Sequence, residues 1–329
     1  MYLVLDVGAT YIKYATLTAE GEISYKGKTK TPMDYDQNTY PEAVGKFVET
    51  IGDIYDGFAK DMEIKGIAMA VPGQVDIKRG IVYSGGGIRY LHEAHVGELV
   101  SARCNNVPVA MENDGKCAAL AEVWMGNAKG KSGAVVLVFG TGIGGGIVRH
   151  GKVIHGKQLL AGELSFIITD MERSDLDKLP DMDNAMERVN LEEYFETFPY
   201  TWTTQCSTIN VCQWVGRKKG LKFGEVTGEL IYQWISQGDE EVIEIMENTY
   251  FKIAKQCLNL YVTLNPEIIL IGGGISAQPL FIEGIKKYVD KLKRMSGVYS
   301  GIKLDTCKYL NDSNLLGALY NFKQLYGAN

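Results

Sequence analysis

The sequence predicts an α/β protein built from two similar lobes, on three observations. A pattern of apolar strand, Gly/Thr turn and second strand occurs at 2–17 and again at 134–148, a coarse internal repeat. Short apolar, β-branched runs alternate with stretches of helical periodicity. The length of 329 residues exceeds the usual size of a single core.

Each element follows from a local pattern. Tyr2 to Asp6 is an apolar strand that turns at Asp6-Val7-Gly8-Ala9-Thr10 and resumes over Tyr11–Leu17. Pro41 to Lys60 carries Ala43, Phe47, Val48, Ile51, Ile54 and Tyr55 at helical spacing, with Pro41 suited to a first turn. Ile64–Val71 is a buried strand closed by the turn signal Pro72-Gly73, which puts backbone groups at a strand end, where α/β sites form. A glycine cluster at 80–90 precedes a helix over 91–105. The strand Val107–Met111 then reaches Glu112-Asn113-Asp114, with Asn113 placed to cap a helix over Gly115–Gly126.

The repeat stretch Ala134–Val148 reads AVVLVFGTGIGGGIV, and Gly162-Glu163-Leu164-Ser165-Phe166 follows it. An acidic, irregular excursion occupies about 170–204. Helices are expected over 209–219, 227–236 and 240–264, the last stopping at Asn265-Pro266. The strand Ile268–Ile271 delivers Gly272-Gly273-Gly274, and helices over 280–295 and 315–325 complete the chain. The expected division is a small α/β lobe over 1–112 and a large α/β lobe over 113–312, with a C-terminal helix in 313–329 packing back on the small lobe.

Composition narrows the partners. A net charge of −6 without a long Lys/Arg run gives nucleic acid or an anionic membrane surface little to grip, so small molecules are favoured. The six cysteines form no C-x-x-C pair and there are only four histidines, so no zinc site is expected. With no leader pattern before Leu3 and no long apolar run, a cytoplasmic protein is the expectation.

Four polar or glycine-rich clusters follow β-type segments: Asp6–Thr10, Asn113-Asp114, Gly140–Gly146 and Gly272–Gly274. Together they are the parts for phosphoryl transfer, a reaction governed by positioning and electrostatics. Glycine bares its amide, so the turns at Gly8 and at Gly140-Thr141-Gly142 can offer N–H groups to the β- and γ-phosphates. Asp6 can hold magnesium, directly or through water, and Thr10 and Thr141 offer hydroxyls. Lys13 can reach the same phosphates or stand as an exposed strand lysine. Asp114 can take a proton from a substrate hydroxyl, or serve as a second helix-capping carboxylate. Asn113 and Glu163 offer fixed partners to the hydroxyls of a polyol, the alternative for Glu163 being a surface carboxylate.

With these residues in place the chain resembles, over nearly its whole length, the ROK family (repressor, open reading frame, kinase) of sugar kinases and regulators. Asp6-Val7-Gly8-Ala9-Thr10 looks like the family's first phosphate motif and Phe139–Gly146 like the second. Glu112-Asn113-Asp114 looks like the catalytic motif and Ile271–Ser276 like the adenosine motif. The resemblance implies the two-lobed actin-like ATPase (ribonuclease H-like) fold with an interlobe active-site cleft. It also implies ATP with Mg2+ as donor, Asp114 as the base that deprotonates a sugar 6-hydroxyl, substrate contacts around Gly73, Asn113 and Glu163, and a homodimer.

The chain departs from that pattern at one point of consequence. The family usually has Glu-x-Gly-His, whereas Glu163-Leu164-Ser165-Phe166 puts Phe166 in place of the histidine that binds sugar and ligates zinc. Nor does a second sugar-binding Glu align near Trp202–Thr208. A subgroup of the family, the β-glucoside kinases, has an aromatic residue there. Ser84–Arg89, Val226–Ile231 and Ala318–Tyr326 are similar to that subgroup. The expected acceptor is therefore the non-reducing glucose of cellobiose or another β-glucoside, with Phe166 as an apolar wall beside the O1 substituent. The alternatives are a glucokinase, an N-acetylhexosamine (ManNAc/GlcNAc) kinase and, more remotely, a non-catalytic sugar sensor or repressor. Family repressors carry a helix-turn-helix before Asp-x-Gly, and that motif already begins at Asp6.

Overall fold

The computed structural model describes residues 1–36, 39–179, 199–310 and 312–327. In chain order the first strands are β1 (Tyr2–Val7), β2 (Tyr11–Leu17) and β3 (Ile23–Lys30). Then come α1 (Tyr40–Ala59), β4 (Ile67–Val71), β5 (Gln74–Asp76), β6 (Ile81–Ser84) and α2 (Val96–Arg103). The strand β7 (Val109–Asn113) runs directly into α3 (Asp114–Trp124). The hairpin β8 (Gly133–Phe139) and β9 (Ile143–Arg149) is followed by the short β10 (Lys152–Val153). Among the described residues four helices follow: α4 (Trp202–Cys206), α5 (Thr208–Lys219), α6 (Gly228–Ser236) and α7 (Glu240–Leu264). The chain ends through β11 (Ile268–Gly272), α8 (Pro279–Leu292), β12 (Leu304–Thr306) and α9 (Ser313–Tyr326).

Among the described residues ten strands form two five-stranded sheets of one plan, ordered β3-β2-β1-β4-β7 and β10-β9-β8-β11-β12, while β5 and β6 pair as a separate antiparallel ribbon. In the first, β1 pairs antiparallel with β2 and parallel with β4, and β4 pairs parallel with β7. In the second, β11 pairs parallel with both β8 and β12. The internal repeat in the sequence is thus a repeated sheet topology.

Packing divides the chain into two compact units, Met1–Lys131 with Gly146–Gly162 and Asn311–Asn329, and Ser132–Gly145 with Glu163–Leu310. In the first unit α1 lays Ala43, Phe47, Val48, Ile51 and Tyr55 onto a core with Leu3, Leu5, Ile67 and Met69. The helices α3 and α9 pack together, and Asn321 Nδ2 donates to the Met111 carbonyl at 3.0 Å. This packing places α3 with the N-terminal sheet, whereas the sequence boundary between Glu112 and Asn113 assigned it to the larger lobe. In the second unit α7 and α8 bury Ile253, Cys257, Phe281 and Ile285 against Val135, Leu137, Ile269 and Ile271.

Local signals act as expected at several ends. Asn113 caps α3 by accepting from Lys116 N at 3.0 Å. Asp239 caps α7, which stops at Asn265 in a left-handed conformation before Pro266. The structure differs in the stretch 91–105, where the helix is confined to Val96–Arg103 after a separate 3-10 turn at Arg89–Leu91. The sequence reading also passed over β3, an edge strand whose exposed Tyr25, Lys26 and Lys28 give no apolar run and whose lysines guard the open edge. Residues 180–198 of the excursion at 170–204 lie outside the described residues; its described start forms a 3-10 stretch at Arg173–Lys178, and its end, expected to be irregular, enters α4 at Trp202.

Candidate active site

The first unit gathers the acidic candidates at one edge of its sheet. Strand register aligns Asp6 with Ala70 of β4, and Ala70 with Glu112 of β7. The chain therefore leaves the carboxyl ends of parallel strands at Val7, at Pro72-Gly73 and at Asn113-Asp114, the edge where α/β proteins bind ligands.

Asp6 is buried, and its carboxylate has a partner on each oxygen. Lys13 Nζ lies 3.3 Å from Oδ2 and Asn314 Nδ2 donates to Oδ1 at 2.9 Å. Lys13 is itself exposed, so its head is available to a ligand as well. The turn after Asp6 closes through Gly8 N donating to the Tyr11 carbonyl at 3.0 Å. Gly8 therefore gives its N–H to the turn itself, while Ala9 and Thr10 are exposed at its tip.

The Glu112–Asp114 stretch is held from several sides. Asn113 Nδ2 donates to the Gly73 carbonyl at 3.0 Å while its Oδ1 caps α3. Gly73 has a φ of +90°, and a Cβ there would sit 1.7 Å from the Ser84 carbonyl oxygen, so only glycine fits. Asp114 is the first residue of α3 and its Oδ1 accepts from Gly115 N at 2.8 Å. Glu112 is buried, its Oε1 accepting from Asn113 N at 2.8 Å and its Oε2 lying 2.7 Å from His155 Nε2. Burial pushes the Cys117 thiol up, helped by the charges of Glu112, Asp114 and Asp6, which leaves it neutral.

The second unit gathers the glycine turns. Gly140 N donates to the Gly142 carbonyl at 2.9 Å across the Gly140-Thr141-Gly142 turn, and Thr141 is exposed at its tip. Gly272 of β11 is in register with Val138 of β8, which brings the two turns to the same sheet edge. Gly273 has a φ of +94°, and a Cβ on it would meet the Phe139 carbonyl oxygen at 2.1 Å. Open space surrounds the Cβ positions of Gly140 and Gly274.

Glu163 and Phe166 belong to the same unit, Glu163 just before and Phe166 at the end of a 3-10 turn at Leu164–Phe166. Ser165 fastens that turn to the glycine turn: its Oγ accepts from Ile143 N at 3.2 Å and donates to the Ile143 carbonyl at 3.0 Å. Glu163 is half-buried, while Phe166 is 57% exposed and available to a ligand.

The structure thus unites Asp6, Lys13, Gly73, Asn113 and Asp114 in one unit, and Gly140–Gly142, Glu163, Phe166 and Gly272–Gly274 in the other. Asn314, His155 and Ser165 escaped the sequence reading. No local pattern marks Asn314 or His155, since their partners are distant in sequence; Ser165 could have been noticed as the small polar residue beside Glu163. Among the described residues no group of three or more His, Cys, Asp or Glu could hold a metal ion, and no helix is long and apolar enough to cross a membrane.

This geometry defines a protein of repeated α/β sheets whose strand ends carry glycine-rich turns and a helix-borne carboxylate. The ROK family model matches residues 2–325, and the chain belongs to the ROK family. It is 28% identical over 320 residues to a β-glucoside kinase of Listeria monocytogenes, covering 97% of this chain and 96% of that protein. It is 27% identical to a glucokinase of Halalkalibacterium halodurans, covering 98% of this chain and 95% of the other. Among solved structures, a ROK family protein from Streptococcus pneumoniae in complex with sucrose superposes with a TM-score of 0.79 at 28% identity, over 99% of both chains. The fold is accordingly the actin-like ATPase fold of ROK sugar kinases.

Proposed function

We propose that this chain is an ATP-dependent sugar kinase that phosphorylates the 6-hydroxyl of a glucosyl unit, with the non-reducing glucose of cellobiose or another β-glucoside as acceptor. The observation that carries the reading is the strand register that puts Asp6 and the Asn113-Asp114 pair at one sheet edge. A phosphate-facing carboxylate and a base for the attacking hydroxyl are then built on the same rigid element.

In this reading Asp114 accepts the proton of the sugar 6-hydroxyl as that oxygen attacks the γ-phosphorus. The bond from phosphorus to the bridging oxygen of ADP breaks, and ADP leaves with the electron pair. In the first unit Lys13 and Thr10 are the phosphate contacts, and Asn113 and the Gly73 backbone orient sugar hydroxyls. In the second unit the Gly140-Thr141-Gly142 turn is a phosphate contact, Gly272–Gly274 an adenosine contact and Glu163 a sugar contact.

The single carboxylate of Asp6 suits magnesium, which takes one or two protein carboxylates and completes its shell with phosphate oxygens and water. Bound there, the ion would neutralise charge on the transferring phosphates.

The acceptor assignment rests on Phe166, whose exposed ring stands where the family pattern has a histidine. A flat apolar face suits a substituted O1, which has lost its hydroxyl proton. The Listeria β-glucoside kinase and the sucrose-bound Streptococcus protein support a glycoside acceptor, whereas the Halalkalibacterium relative supports free glucose as a second reading.

A coupled assay of ADP release over cellobiose, other β-glucosides, glucose and N-acetylhexosamines tests both levels. Sugar-dependent ADP release with cellobiose preferred over glucose is expected. Release with no sugar dependence removes the kinase reading, and a preference of about tenfold or more for glucose removes the β-glucoside assignment.

A further inference from the structure

The carboxylate of Glu112 is 1% exposed and sits one residue before Asn113. A buried carboxylate is tolerated only when hydrogen-bond donors replace the water it has lost. Two such groups reach Glu112: the N–H of Asn113 at 2.8 Å on Oε1 and the His155 ring nitrogen Nε2 at 2.7 Å on Oε2. The first fixes the peptide that links Glu112 to Asn113, and that peptide sets where the Asn113 and Asp114 side chains start.

The second donor comes from outside the motif. His155 lies just after β10, on a stretch held by Ile154 N donating to the Ile147 carbonyl at 2.8 Å and by Ala161 N donating to the His155 carbonyl at 3.0 Å. Its side chain is 21% exposed, so the ring is partly wet while the carboxylate it serves is dry. All these residues belong to the first compact unit. The role of Glu112 in the proposed reaction is otherwise empty: the carboxylate is turned into protein and has no access to substrate.

We propose that His155 is a positioning residue which, through Glu112, fixes the backbone at Asn113 and so the aim of Asp114 at the acceptor hydroxyl. The proposal rests on the reading of Asp114 as the base. Removing the imidazole leaves the carboxylate short of a donor on Oε2, so Glu112 turns toward another partner, and that turn releases the Asn113 N–H from Oε1. A misplacement on the order of 1 Å at the reacting groups can cost about 100-fold in rate. The phosphate-binding groups Asp6 and Lys13 are held by other contacts and keep their geometry.

The test compares His155→Leu, His155→Gln and Asp114→Asn in steady-state kinetics with ATP and the best acceptor found. His155→Leu should lower kcat by about 10- to 100-fold while KM for ATP stays within about twofold, and His155→Gln, which keeps an N–H donor, should recover much of the loss. If His155→Leu does not fold, His155→Asn, too short to reach Glu112, takes its place against the Gln variant. The proposal is overturned if the donor-lacking variant matches the parent, if kcat and KM for ATP change in parallel, or if Gln rescues no better than Leu. Full turnover by Asp114→Asn instead removes the base assignment on which the proposal stands.

Discussion

Asn314 and Asp6 lie 308 residues apart in sequence and share a hydrogen bond of 2.9 Å, so the start of α9 supports the carboxylate at the end of β1. Lys13 Nζ approaches the other oxygen at 3.3 Å, and the two contacts hold the carboxylate plane from both sides.

Replacing Asn314 with Leu should therefore free that plane to rotate toward Lys13 and weaken the hold on the phosphates. A hydrogen bond to a charged group contributes about 1.5–3 kcal/mol. We expect kcat/KM for MgATP to fall by about tenfold with KM for sugar little changed, as read in steady-state assays varying each substrate. Equal changes in both KM values would argue against this support role.

Asp114→Asn should lower kcat by about 100- to 10,000-fold, the usual worth of a positioned base. The amide keeps the shape and the cap to Gly115 N, so sugar binding measured by calorimetry should be largely retained.

At Gly73, alanine meets both an unfavourable φ of +90° and the Ser84 carbonyl oxygen 1.7 Å from the new Cβ. Backbone strain of this kind costs about 1–3 kcal/mol before the clash is counted. Gly73→Ala should lower the urea midpoint clearly and weaken sugar binding, because the Gly73 carbonyl is the acceptor for Asn113 Nδ2. A variant with parental stability would show that the loop shifts freely.

Phe166 is 57% exposed and lends little to the core. Phe166→His should keep the melting temperature within a few degrees, about the effect of a surface substitution, and move the ratio of cellobiose to glucose kcat/KM toward glucose. An unchanged ratio would separate Phe166 from acceptor choice.

Alkaline pH should destabilise the protein through its buried thiols. Burial pushes Cys206 and Cys257 up to about 12, and Cys104 to about 11, from an ordinary 9.0. Below pH 9 the thiols are neutral in both states and this contribution is fully present. Above it the unfolded chain loses protons that the folded chain keeps, so stability falls from pH 9 toward pH 12. Urea midpoints measured across that window should decline, and Ala replacements at these cysteines should flatten the decline.

The sequence by itself determined most of the elements and the family, because both are written in local pattern. Strand runs, the cap at Asn113, the stop at Asn265-Pro266 and the glycine turns all depend on neighbours within a few residues. The repeat at 2–17 and 134–148 carried the topology as well, since the same pattern folds into the same sheet plan twice. Tertiary structure decided what sequence distance conceals: that α3 packs with α9 beside the first sheet, that Asn314 supports Asp6, and that Ser165 ties the Glu163 turn to Ile143. It also decided where the Glu112 carboxylate lies. A glutamate beside Asn-Asp reads in sequence as part of a polar motif, and only burial beside His155 shows a carboxylate turned inward, where the loss of water makes each donor count.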